Sequence, residues 1–588
     1  MMRLREVLRG AALVSAAAFG LVGVRPSFSQ QPQGFPTVAA PSVPVQPAGV
    51  ERTIPPQLLP VPAAPASGAS ASSAVAVPAI DPDILVRGQR FEQQRRWGEA
   101  LSLYEDAYRS NPAATVLNER IDLARIHYDL GRRYADASFR RSLTQLDESR
   151  ALDLYAEVLN KVYTHYVADP DWKHLVDHGT LDLEVALGEP AFLANMFGAA
   201  GQPQPQDINE FRRELHQTTD NRPIRSADDA RDAVAAAANL AQDKLHLSPT
   251  CTVLEYTGGA AGGLDEYSTF LTPDQLNDLY SQIEGNFVGL GVELKSAENA
   301  LLIVNVIRNS PAERAGLKSA DRIVAVAGKS TRQLSTDQAA ELLQGPEGTS
   351  VELAVVSGNG PERSLTLRRE HVDVPSVDDI RMLDAERGIG YFKLTCFQKT
   401  TSRDLDNALW QLHRQGMRSL VMDLRGNPGG LLTAAVDAAD KFIDQGNIVS
   451  TRGRSPQEDY NYTAHSLSVW HLPLVVLIDG DSASASEIFA GAIRDHSRGV
   501  LVGTRSYGKG SVQGIFPLAI GGAGIRLTTA KFYSPNGHPF AHVGVQPDIV
   551  VHQAAKPIDG QVAPRAPGDP DAILTAGLEA ARRQLAQQ

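Results

Sequence analysis

The chain reads as a multidomain α/β protein, and three features of the sequence predict it. Short apolar runs alternate with helix-period stretches at 388–397, 402–415, 419–424, 431–442, 474–478 and 484–495, which argues a sheet covered by helices. A segment dense in proline, alanine and serine is followed at Asp81 by amphipathic helical patterning. At 588 residues there is room for about four domains. The predicted order is a leader or anchor (1–29), a linker (30–80), a helical region (81–150), a second helical region (151–281), a strand-rich module (282–371), an α/β core (372–553) and a C-terminal tail (554–588).

Each part has its own signal. Arg3, Arg5 and Arg9 precede an apolar stretch from Ala11 to Val24, which is the length of a signal-peptide core and short for a membrane span. Ser27-Phe-Ser29 offers small residues for cleavage before Gln30, with retention as a membrane anchor as the alternative. The expected location is therefore the periplasm or cell envelope, with membrane contact only if the leader stays. The linker cannot bury enough apolar surface to offset its ordering entropy and reads as a disordered tether. Beyond it, Gly88, Phe91, Ala100, Tyr104, Ala107 and Pro112 fall at the spacing of one tetratricopeptide-like helical hairpin, an ordinary helical pair being the plain alternative. A single hairpin cannot bury its own face, so it docks on the next helices or recruits a protein adaptor.

The module that follows carries a recognition pattern. Phe287-Val-Gly-Leu-Gly-Val-Glu-Leu294 alternates like a strand, and Gly289-Leu-Gly291 supplies a turn whose amides can receive a terminal carboxylate. Val288, Gly289, Leu290 and Gly291 are therefore candidate peptide-binding residues. Strands at 301–307, 321–328, 351–356 and 364–368, with a short helix at 311–317 and another at 336–343, follow in an order that resembles a bacterial PDZ domain. Such a groove would take a peptide tail as an added strand and select an apolar last side chain.

The chemistry-bearing motifs lie in the core. Ser482-Ala-Ser-Ala-Ser-Glu487 follows the apolar run Leu472-Pro-Leu-Val-Val-Leu-Ile478 and opens a helical pattern, a strand, turn and helix that can expose a hydroxyl at a helix N-terminus. Tyr507-Gly-Lys-Gly-Ser-Val-Gln513 follows, with Lys509 among apolar strands that can desolvate an amine. A serine needs a neighbouring base, and a lysine serves only when its pKa falls toward neutrality. Asp423-Leu-Arg-Gly-Asn-Pro-Gly-Gly430 offers glycines that let backbone approach a substrate carbonyl. Ser484-Ala-Ser-Glu487 also fits a capping box with no chemistry, and spacing leaves Ser482, Ser484 and Ser486 open.

These three motifs in this order, behind a PDZ-like segment, resemble the carboxyl-terminal processing (tail-specific) proteases over about residues 151–551. The resemblance implies Ser484 as nucleophile, Lys509 as general base and Gln513 as the residue that orients the lysine. It implies an oxyanion hole from Ala485 with Gly429 or Gly430, a helical cap at 151–281, and a core of the crotonase and caseinolytic-protease type. The function it implies is an ATP-independent serine endopeptidase that grips apolar free C-termini of exported or envelope proteins and cuts through an acyl-enzyme. The chain departs from the family pattern at Leu264-Asp-Glu-Tyr-Ser268, where Leu-Asp-Pro-His-Ser is common, and at Asp479-Gly-Asp481.

Two competitors are set beside that reading. A serine, histidine and aspartate triad could draw on His471, His496, His538 or His542, although His496 lies twelve residues beyond Ser484 and ~18 Å along a continuous helix. Alternatively, the chain is a catalytically inactive PDZ and helical-repeat scaffold. The net charge of −12 and the lack of a basic face argue against nucleic acid. Cys251 and Cys396, expected to be free, have no companions at zinc spacing, so neither a metal nor a cofactor is expected.

Overall fold

The computed structural model describes residues 82–551 and 571–587, apart from 112–113, 198–200, 221, 298–299, 332–341, 344, 359 and 466–468. The leader, the linker and Pro112 lie outside the described residues. Helices α1 (Pro82–Gln93) and α2 (Trp97–Ser110) form an antiparallel pair closed by α3 (Val116–Ala135). Gly88 permits the close approach: a Cβ there would stand 2.2 Å from the Tyr104 ring. Leu117, Ile121 and Ala124 of α3 cover the apolar face that the pair cannot bury alone, joining Ala100, Leu101 and Tyr104 in one small core.

A helical layer continues with α4 (Glu148–His165), α5 (Trp172–Ala186), α6 (Pro190–Phe197), α7 (Pro205–Thr219), α8 (Ala227–Leu245) and α9 (Pro249–Gly262). Helix α9 is buried along most of its length and packs against α4, α5 and α8. Gly259 meets Gly179 of α5 so closely that a Cβ would fall 2.5 Å from the Gly179 Cα. One buried charge fastens the first helices here: Arg133 of α3 reaches Glu255 of α9 at 2.6 Å, and the Tyr134 hydroxyl donates to the same carboxylate. Removing either ion would strand the other in a water-poor interior.

The chain then alternates. Strand β1 (Thr269–Leu271) and α10 (Pro273–Glu284) lead to β2 (Asn286–Gly289), β3 (Val292–Ala297) and β4 (Ala300–Val306). The expected single strand at 287–294 is thus two strands broken at Leu290-Gly291, because Gly291 turns at φ +82 and would drive a Cβ to 2.1 Å from Ser310. The sheet of the PDZ-like module contains β3, β4, β5 (Asp321–Val326), β6 (Lys329–Ser330), β7 (Ser350–Ser357) and β8 (Glu362–Arg368), with the short helix α11 (Pro311–Arg314) after β4. Strand β2 belongs elsewhere: it pairs antiparallel with β9 (Glu370–Asp373), the segment that leaves the module. Most of the expected helix at 336–343 lies outside the described residues.

Two sheets build the core. The first runs β10 (Val377–Asp384), β11 (Ile389–Leu394), β12 (Ser419–Asp423), β15 (Leu474–Ile478), β16 (Val500–Gly503) and β19 (Ile549–Val550), parallel except for β10. The second gathers β1, β13 (Gly446–Gly453), β14 (Tyr460–Ala464), β17 (Ser511–Pro517) and the long β18 (Gly524–Tyr533). Period-two alternation sorts the parallel strands. Leu474, Val476 and Ile478 face the helices α12 (Thr401–Arg414), α13 (Leu432–Asp440) and α14 (Ala485–Asp495). Val475 and Leu477 face the other way, toward α15 (Ala572–Ala586).

That last contact revises the C-terminal tail. Helix α15 is a layer of the core, docked through Ile573, Ala580 and Ala581, with Gly577 against Leu477. Arg425 holds its start, its Nη1 donating to both oxygens of Asp571 at 2.8 Å.

Candidate active site

The site is built where β15 ends. Gly480 and the residues after it turn the chain into α14, and Ser484 sits at that helix's N-cap with φ 56 and ψ −115. A serine at positive φ is strained and persists only where its surroundings over-determine it. Here they do. Ser482 Oγ donates to the Leu424 carbonyl at 2.9 Å, and Ser486 Oγ donates to the Asn427 carbonyl at 2.9 Å, so both outer serines are structural. Ser484 Oγ is buried and has no hydrogen-bond partner. Of the three hydroxyls it is the one left free for chemistry.

The capping box is only half made. Glu487 accepts from the Ser484 N–H at 2.8 Å, but the serine hydroxyl returns nothing to the helix. Glu487 does more than cap: its carboxylate also accepts from Ser506 Oγ at 2.6 Å, Gly508 N–H at 2.7 Å and Lys509 N–H at 2.9 Å. One fully buried carboxylate thus straps the serine turn to the lysine loop. Burial pushes its pKa up to about 7, and those four hydrogen bonds work against the rise.

Lys509 is 4% exposed, and its pKa falls to about 7 from an ordinary 10.5, chiefly through burial and then through the charge of Arg526. Its Nζ stands 4.5 Å from the centre of the Tyr267 ring. The dyad contact is not closed, since Ser484 Oγ bonds to nothing. Gln513 does not hold the lysine either. Its Nε2 donates to Ser511 Oγ at 2.9 Å and its buried Oε1 has no partner. The β17–β18 register slips between Val512 and Gln513, an irregularity of the kind that changes where a strand side chain is aimed.

The glycine loop lies against the serine. A Cβ on Gly429 would be 2.8 Å from Ser484 Cβ and 2.9 Å from the Ala485 nitrogen, and one on Gly430 would be 1.9 Å from the Phe397 carbonyl oxygen. Asn427 organises this approach, donating to the Leu394 carbonyl at 2.9 Å and accepting the Gly429 N–H at 2.9 Å. The Gly429 amide is thereby committed to Asn427. A hollow beside these groups is walled by Leu432, Ile488, Val512 and Phe532.

Of the candidate histidines, His542 touches the lysine loop through its backbone, its N–H donating to the Gly508 carbonyl at 2.8 Å. Nε2 of His496 donates to the Asn447 carbonyl at 2.7 Å at the far end of α14, while His471, His538 and His542 are exposed. In the recognition module, Val288 and Gly289 lie in the β2–β9 ladder opposite His371 and Glu370. Leu290 and Gly291 are tied down through their carbonyls, which accept from Ala312 and Ile307 at 2.9 Å each. Across planar trans peptides that turns the intervening N–H the opposite way. Cys251 and Cys396 are free, and among the described residues no group of three histidine, cysteine or acidic side chains is placed to hold a metal.

Three contributors escaped the sequence: Glu487, read only as a cap, and Tyr267 and Arg526, which flank the lysine. The departure at Leu264-Asp-Glu-Tyr-Ser268 was the one signal that pointed to Tyr267.

Residues 388–551 match the family described as peptidase family S41, and residues 302–357 match the PDZ domain. A carboxy-terminal-processing protease of Bartonella bacilliformis is 37% identical over 297 residues, covering 49% of this chain and 67% of that protein. A carboxyl-terminal-processing protease of Synechocystis is 38% identical over 297 residues, covering 49% of this chain and 69% of the relative. Among solved structures, the photosystem II D1 C-terminal processing protease aligns over 74% of this chain and 97% of its own, at 25% identity and a TM-score of 0.35.

Proposed function

The chain belongs to peptidase family S41, among the carboxyl-terminal-processing proteases, and on that premise we propose that Ser484 is its nucleophile and Lys509 the general base, acting without ATP. It is a serine-type endopeptidase, and the dyad is the arrangement its geometry supports best. The neutral amine of Lys509 takes the Ser484 proton as Oγ bonds to the substrate carbonyl carbon. The negative oxygen is held by the Ala485 N–H at the start of α14, where the helix dipole adds its field, and by the Gly430 N–H of the glycine loop. Collapse breaks the C–N bond, the lysine returns the proton to the leaving amine, and water then hydrolyses the acyl-enzyme.

The observation that carries this reading is the pairing of a buried, unbonded serine hydroxyl with a buried lysine whose pKa falls to about 7, on two loops tied by one carboxylate. Leu432, Ile488, Val512 and Phe532 make an apolar wall beside Ser484 and Ala485, which favours an apolar side chain next to the cut bond. The PDZ domain would present the substrate, capturing a free apolar C-terminus at Val288-Gly-Leu-Gly291. The N-terminal signal pattern supports export to the cell envelope, where exported proteins would be the substrates.

The test uses purified full-length protein, no nucleotide, and an unfolded protein ending in an apolar residue, beside the same tail amidated. Ser484→Ala and Lys509→Ala should each lower kcat by at least ~10⁴-fold while keeping the parent's circular dichroism. Normal turnover by either variant would overturn the dyad, and equal KM for free and amidated tails would overturn carboxylate capture. An inert parent that still binds tails would instead identify a scaffold.

A further inference from the structure

The lysine is not held by its neighbours in sequence. It rests on a platform from a distant part of the chain, the turn 264–268 that precedes β1. That turn is pinned from several sides. Asp265 Oδ1 accepts from the N–H of Tyr267 at 2.9 Å and of Ser268 at 2.7 Å, and the Tyr166 hydroxyl donates to the Leu264 carbonyl at 2.8 Å. Ser268 Oγ accepts from the Thr528 N–H at 3.2 Å, and Thr269 pairs with Arg526 in the β1–β18 ladder.

Arg526 completes the arrangement. Only 5% exposed, it donates through Nε to the Tyr267 carbonyl at 2.9 Å, while its Nη1 is buried without a partner. The carbonyl and the ring of one tyrosine are therefore engaged by two basic side chains, the Arg526 guanidinium at the backbone and the Lys509 amine at the π face.

We propose that Tyr267 and Arg526 are positioning residues for the hydrolytic reaction, the ring seating the Lys509 amine and the guanidinium fixing that seat against β18. The assignment rests on the dyad reading above. It separates two tasks. The flat ring fixes where a flexible four-carbon side chain keeps its amine, and a permanent neighbouring cation disfavours a second positive charge there. The charges facing Lys509 are Arg526 on β18, Asp265 and Glu266 on the turn, and Glu487 on α14; those facing Arg526 are Asp129 and Arg132 on α3 and Asp265. In this company Arg526 is the group that opposes protonation of the amine, after burial itself. The same repulsion favours return of the proton to the leaving amine once the C–N bond breaks.

The test is the pH profile of kcat/KM on a fluorogenic peptide with a free apolar C-terminus, using full-length protein. Arg526→Gln should move the acidic limb upward by about 1 pH unit, since a like charge is removed, and Arg526→Lys should bring it back toward the parent. Tyr267→Leu should lower kcat by roughly 10-fold to 100-fold with little change in KM, and Tyr267→Phe, which keeps the ring, should recover most of that loss. A folded Arg526→Gln with an unmoved limb overturns the proposal. Should that variant fail to fold, Tyr267→Leu decides alone, and an unchanged kcat overturns the proposal. Lys509→Ala runs alongside: retained turnover there sinks the dyad itself, whereas an inactive Lys509→Ala beside an unmoved Arg526→Gln limb sinks only the seat.

Discussion

At residue scale the lysine sets two different pH dependences. In its proposed role as base it must be neutral, so kcat/KM should rise with pH through an acidic limb near 7, where its amine loses the proton. As a buried cation it destabilises the fold. Its folded pKa of about 7 lies below the ordinary 10.5, so the unfolded chain binds more protons between those values and stability rises with pH across that window. The penalty is complete below about 7 and gone above the unfolded value. Lys509→Met should therefore melt higher than the parent at pH 7, with the difference shrinking as the pH approaches 10; a gap that stays constant would show that the amine is not desolvated. Ser484 and Lys509 were legible because their motifs are short and contiguous. Tyr267 was not, because it lies 242 positions before the lysine (509 − 267) and only the fold brings a ring to an amine over that distance.

At the scale of elements, α14 does the joining. Its Glu487 receives four hydrogen bonds, three from backbone N–H groups and one from Ser506. A carboxamide cannot match that set, because its NH₂ would face donors. Glu487→Gln should keep the fold yet lower kcat on the order of 10²-fold through misplacement of the loop, with KM nearly unchanged; full activity would remove the strap from the account. The same side chain shows why sequence reading stopped short. Spacing revealed its link to Ser484 three residues away, but its bonds to 506–509 cross from one loop to another. Strands of the parallel sheet were legible because burial on both faces leaves continuous apolar runs. Helix α15 was not read as core, since apart from Ile573 its buried residues are Gly577, Ala580 and Ala581, which carry little hydrophobic signal.

Taken whole, the molecule stacks a helical layer, a recognition module and a hydrolytic core, and the first helices touch the reacting end. Arg109 of α2 lies 4.4 Å from the Tyr507 ring, two residues from Lys509, so the hairpin touches the lysine loop. The recognition module joins the core differently. The chain enters it through β2 and leaves through β9, and Asn286 stands directly across from Asp373. Paired backbones of this kind hold their Cα atoms about 5 Å apart, within reach of a tight two-residue turn. The module is thus a detachable cartridge with both leads on one plug. Splicing Asn286 to Asp373 through Asn-Gly should yield a soluble enzyme with the parent core's melting transition that cuts free and amidated tails at the same rate. A spliced chain that fails to fold would mean that the cartridge was a structural wall all along.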